Sequence, residues 1–192
     1  LFVLLTIALY IYFERFFAIK SASKIDENFM NQIKESVSEG KLVAAAALCK
    51  SKNTPTARLI GKGISRIGKP LDDINTAIET AGKLEVYQLE KNVSVLATIA
   101  GAAPMIGFLG TVLGMMNTFH KMAAGSEESG VQIGDLSEGI MYAMATTVAG
   151  LVVGIIAYLG YNLLVSKVDK VVHKMEDASL NFMDLLNAII KK

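Results

Sequence analysis

Two threonines, Thr111 in "GTVLG" and Thr147 in "TTVAGL", stand inside long apolar stretches that carry no charge. A hydroxyl both donates and accepts a hydrogen bond, so where water is scarce it can satisfy a charged or protonated group that would otherwise be costly to bury. Thr146 adjoins Thr147, Asn117 and Thr118 lie one to two helical turns beyond Thr111, and Tyr142 places a phenol five residues before Thr147. These six side chains form a candidate polar collar for an ion or proton pathway. The alternative for each threonine is a bond to the carbonyl four residues back in its own helix, the usual fate of a membrane threonine. Composition leaves both open.

Chemistry that is missing narrows the function. From Asn92 to Phe119 no side chain is ionisable, and from Gly139 to Ser166 the only candidates are Tyr142, Tyr158 and Tyr161. A pathway for protons or Na⁺ needs a titratable group, and intramembrane carboxylates usually mark one. A phenol titrates near pH 10 and is no proton carrier at neutral pH. An acid for such a pathway must therefore come from another chain. No metal-ligand spacing, phosphate-binding glycine loop or nucleophile motif occurs, so no enzyme chemistry, metal or cofactor is expected. A net charge of +1 without a basic stripe argues against nucleic acid. His120 and His173 are far apart, and Cys49 has no second cysteine to pair with.

The elements that must position the collar are membrane helices. Each uncharged block reaches roughly 42 Å as a helix, more than the ~30 Å of a bilayer core. A third block, "LFVLLTIALYIYF", runs into Glu14 and Arg15; no small-residue cleavage site precedes "ERFFAIK", so it reads as the later part of a first span. The expected organisation is a first transmembrane helix at 1–19, a helical cytoplasmic region at 20–91, a second span at 92–119, a periplasmic loop at 120–138, a third span at 139–166 and a helical cytoplasmic tail at 167–192. Orientation follows from basic residues near the span ends: Arg15, Lys20, Lys24, Lys34, Lys83, Lys91, Lys167, Lys170 and Lys174 on one side, Lys121 alone on the other. The expected fold class is an all-α, multi-pass membrane protein with long helical cytoplasmic extensions and a periplasmic N-terminus.

Within spans two and three, "GTVLGMM" and "GLVVGII" repeat a small-xxx-small pattern that lets helix backbones approach closely. Gly107, Gly110, Thr111, Gly114 and Thr118 make one small face, and Ala143, Thr147, Gly150 and Gly154 another. Thr111 lies eight residues before Phe119 and Thr147 eight after Gly139, so both hydroxyls should sit about 12 Å from the outer boundary. Thr146 is turned about 100° from Thr147 and should matter less. Pro104 is expected to interrupt span two and to free a carbonyl.

In the cytoplasmic region "KLVAAAALCK" predicts a short helix, "NTP" breaks it, and "TARLIGKGISRIG" a weaker one. Pro70 suits a first helical position, and Leu71, Ile74, Ile78, Ala81, Leu84 and Tyr87 make an apolar stripe on a helix that leads straight into span two. In the tail, Val168, Val171, Val172, Met175, Phe182, Leu186 and Ile189 fall at helical spacing, which predicts one helix from about Gly139 to Ile190.

"APMIGFLGTVLGMMNTF", the short acidic loop and "GIMYAMATTVAGLVVGIIAYLGYN" resemble the ExbB/TolQ branch of the MotA/TolQ/ExbB proton-channel family, and "FERFF" is similar to the end of that family's first helix. The resemblance implies a homo-oligomeric ring, a pentamer, whose second and third spans line a pore. It implies a partner similar to ExbD or TolR, whose single transmembrane helix supplies a proton-carrying aspartate. The family's pore threonines fall on Thr111 and Thr147. Tyr142 stands where the best-studied branch carries a glutamate, which removes a subunit carboxylate from the account. The implied function is an ExbB-like stator of an inner-membrane motor energising TonB-dependent outer-membrane transport, with a TonB-like protein as a further partner. A TolQ-like or gliding-type stator is the alternative within the class; a non-conducting membrane scaffold is the alternative outside it.

Overall fold

The computed structural model describes residues 1–23, 27–125 and 133–190. Seven α-helices follow one another among them: α1 (Phe2–Ala22), α2 (Glu27–Ser38), α3 (Leu42–Lys52), α4 (Pro55–Ile64), α5 (Leu71–Glu90), α6 (Val93–Gly125) and α7 (Ile133–Ile190). Three of them, α1, α6 and α7, are long and apolar enough to cross a membrane. The chain divides into two compact units. One comprises Leu1–Phe13 and Asn92–Leu163, the other Glu14–Lys91 and Leu164–Lys192.

The first unit is built on small residues. Along α6, Val93, Leu96, Ile99, Ala103 and Gly107 are buried at steps of three and four; along α7, Ala143, Gly150, Val153, Gly154, Ala157 and Gly160 are. Lipid-like surroundings give no hydrophobic drive between helices, so close van der Waals contact must supply the attraction. α6 runs unbroken through Pro104, contrary to the expected interruption. Pro104 has no N–H for the Ala100 carbonyl. Gly154 accommodates the pair: a Cβ there would lie 2.6 Å from the proline ring and 3.1 Å from that carbonyl oxygen. The first helix joins α7 at Gly160, where a Cβ would meet the Tyr12 ring at 3.1 Å.

The second unit is a helical bundle with an aliphatic core. The last part of α7 buries Leu164, Val168, Val171, Met175, Ala178, Phe182 and Leu186, whereas Val172 is half-buried and Ile189 exposed. Phe182 is fully buried and fills the space left by Gly63 of α4, whose Cβ would come 2.7 Å from the phenyl ring and 2.8 Å from Ile78 of α5. α3 ends at Asn53 in the left-handed conformation (φ 43°), and the Thr54 hydroxyl then caps α4 by accepting from Ala57 N.

Three local expectations are corrected. Pro70 is the residue before α5 rather than its first helical residue. α5 does not lead straight into α6: Asn92, with φ 63°, breaks the path between Glu90 and Val93, a backbone shape that asparagine tolerates better than most residues. The buried face of α5 is Ile74, Ile78, Glu85 and Leu89, and it leaves Leu84 and Tyr87 exposed. Glu85 occupies that face because Arg58 of α4 pairs with it through both carboxylate oxygens.

Candidate functional site

α6 and α7 meet through their glycines. A Cβ on Gly107 would lie 2.9 Å from the Thr146 carbonyl oxygen and 3.0 Å from the Gly150 Cα; one on Gly150 would lie 2.6 Å from the Ala103 carbonyl oxygen. On Gly114 it would lie 2.9 Å from the Ala143 Cβ, and on Gly110 2.7 Å from the Thr146 hydroxyl. Backbone therefore faces backbone, and short hydroxyl side chains reach across.

Thr111 and Thr147 come together in this seam, their hydroxyls in direct hydrogen-bond contact. The Thr111 hydroxyl also lies 3.0 Å from the Ala143 carbonyl oxygen and the Thr147 hydroxyl 3.2 Å from that of Gly107, so that each has a carbonyl and the other hydroxyl as alternative acceptors for its one proton. Ala143 lies four residues before Thr147 and Gly107 four before Thr111, so each hydroxyl reaches the carbonyl that its partner would use for a bond within its own helix. Thr111 has its own Gly107 carbonyl at the longer distance of 3.4 Å. Thr118, by contrast, bonds within its helix to Gly114 O at 2.9 Å. Gly139 of α7 faces Thr118.

Thr146 is not turned away from this group. Its hydroxyl lies 2.7 Å from the Ala143 carbonyl and 3.2 Å from the Gly107 carbonyl, the same two acceptors. All three threonines are half-buried. Asn117 and Tyr142 are exposed and are not brought to the cluster; Tyr142 is 63% exposed.

The two carbonyls and Gly139 were not singled out from the sequence. A signal for the carbonyls was there: with antiparallel helices and threonines at equal depth, Gly107 lies one turn to one side of the pair and Ala143 one turn to the other, and each carbonyl points along its own helix toward the threonines. The cluster can accept a hydrogen bond from an approaching donor or give one to an approaching acceptor, but it has no group that titrates near neutral pH.

The sequence profile of the MotA/TolQ/ExbB proton channel family matches residues 51–177. The chain is 38% identical over 81 residues to the biopolymer transport protein ExbB of Aquifex aeolicus, covering 42% of this chain and 53% of that protein. It is 33% identical over 119 residues to an ExbB-like protein of Synechocystis sp., covering 62% and 56% respectively. To the Tol-Pal system protein TolQ of Haemophilus influenzae it is 33% identical over 116 residues, covering 60% and 48%. The chain spans about half the length of the curated relatives it matches.

Proposed function

The chain belongs to the MotA/TolQ/ExbB proton channel family, and on that premise we propose that it is the ring-forming subunit of a proton-driven inner-membrane motor. The observation that carries this reading is the meeting of the Thr111 and Thr147 hydroxyls in a seam whose helices bear no carboxylate between Asn92 and Phe119 or between Gly139 and Ser166. A hydroxyl pair suits a carboxyl group that changes protonation. The neutral acid donates to a threonine oxygen, and the carboxylate accepts a threonine O–H.

The acid belongs to a partner with a single span and a membrane-embedded aspartate, of the ExbD or TolR kind. Several copies of the chain, five by family likeness, surround it with α6 and α7. The region at 20–91 and the tail face the cytoplasm, where the basic residues lie, and the 120–138 loop and the N-terminus face the periplasm. The work delivered is TonB-type outer-membrane transport. The match to TolQ, at the same identity as the match to the ExbB-like protein, supports a TolQ-type motor as the second reading.

Thr147→Val tests the hydroxyl while nearly preserving shape. Loss of one bond to a buried carboxylate costs about 1–3 kcal/mol, so proton flux through the complex should fall roughly 5- to 150-fold while assembly with the partner persists. An assembled Thr147→Val complex conducting at the wild-type rate would contradict the reading.

A further inference from the structure

We propose that Thr146 is a positioning residue: its choice of carbonyl sets the direction of the Thr111–Thr147 hydrogen bond, and so decides which of these hydroxyls keeps both oxygen lone pairs free for an incoming donor. The second half of this statement rests on the proposed function; the first does not.

A count of protons and lone pairs leads to it. In helical geometry the Gly107 carbonyl accepts the Thr111 amide and the Ala143 carbonyl the Thr147 amide, leaving one lone pair on each. Three hydroxyl protons, from Thr111, Thr146 and Thr147, compete for those two lone pairs, and the third proton must go to another hydroxyl. If Thr146 donates to Ala143 O, at 2.7 Å, that acceptor is closed to Thr111. Thr111 then donates to Thr147, and Thr147 donates to Gly107 O at 3.2 Å. In this arrangement the Thr111 oxygen accepts from neither of the others.

If Thr146 turns to Gly107 O, at 3.2 Å, the chain of bonds reverses. Thr147 donates to Thr111, Thr111 donates to Ala143 O at 3.0 Å, and the Thr147 oxygen is the one that accepts from neither of the others. Both arrangements use all three protons, and they interconvert by rotation of the three hydroxyls, which remakes each hydrogen bond without moving an oxygen. The shorter contact favours the first. Gly110 makes room for this hydroxyl: a Cβ there would sit 2.7 Å from the Thr146 oxygen.

The test uses the full chain assembled with its single-span partner in lipid vesicles, with threonine labelled with ¹³C for solid-state NMR. Thr146→Val removes the hydroxyl and Thr146→Ser keeps it. The Val variant should shift the Cβ resonances of both Thr111 and Thr147 and lower partner-dependent proton flux roughly fivefold, the effect of one ordinary hydrogen bond; the Ser variant should restore both. Should the Val variant fail to assemble, Thr146→Ala removes the same hydroxyl with less volume and its spectrum decides. Unmoved Thr111 and Thr147 resonances in the hydroxyl-free variant overturn the positioning role, whatever the flux. Shifted resonances uphold it, and if Thr147→Val then conducts like the wild type, it is the pore reading that falls.

Discussion

Glu85 and Cys49 show how single side chains hold the second unit together. The Glu85 side chain is only 10% exposed, on a face that is otherwise aliphatic, and Arg58 reaches it while also donating to Asn53 at the end of α3. One guanidinium thus joins three helices. Arg58→Met should cost about 2–4 kcal/mol in thermal unfolding, somewhat less than for a wholly buried pair because the Arg58 side chain is 41% exposed. Arg58→Met with Glu85→Leu should recover most of that loss, and a double variant as unstable as the single one would show that the pair is not what matters. Burial of Cys49 against α4 pushes its thiol up to about 11. Because the unfolded thiol ionises first, this residue's contribution to stability is complete below pH ~9 and is lost as pH rises toward 11. At pH 8 maleimide should label Cys49 at least tenfold more slowly in the folded protein than after unfolding; equal rates would contradict its burial.

At the scale of elements, composition made the three apolar helices legible, because a block without charge has few places to go but a membrane. Most of the details that escaped were set by partners distant in sequence. The α5 stripe misled at Leu84 and Tyr87 because its buried face takes a glutamate, and nothing local to α5 announces Arg58. The break at Asn92 depends on one residue's tolerance of the left-handed backbone. Pro104 stays inside a continuous helix because Gly154 makes room for it. At the candidate site, equal depth for Thr111 and Thr147 could be counted from the loop, but the rotation of each helix, and with it the place of Thr146, could not. The glycine seam makes its own prediction. Gly150→Ala would drive a methyl into the Ala103 carbonyl at 2.6 Å, against backbone that cannot swing aside, whereas Gly134 has nothing within 4 Å of a Cβ. Thermal unfolding in detergent should find Gly150→Ala weaker by about 1–3 kcal/mol and Gly134→Ala close to wild type. Equal tolerance at the two positions would remove the seam from the account.

The whole molecule is proposed to act as a ring around a partner. Topology is checked by labelling: in a Cys49-free background, Ser129→Cys should react with an impermeant reagent from outside and Ser51→Cys only from inside, and the reverse pattern would invert the account. The ring itself is proposed from the likeness to the family; the apolar surfaces of α6 and α7 beyond their shared seam, including Phe108, Leu113, Val148 and Val152, can meet lipid or a neighbouring copy. The central claim is that this chain supplies hydroxyls while its partner supplies the acid. Proton flux into vesicles, driven by a pH gradient and read with an internal dye, tests it most directly when the chain is reconstituted alone and again with its single-span partner. The account predicts flux only with the partner, abolished by replacing the partner's membrane aspartate with asparagine; equal flux from the chain alone would contradict it.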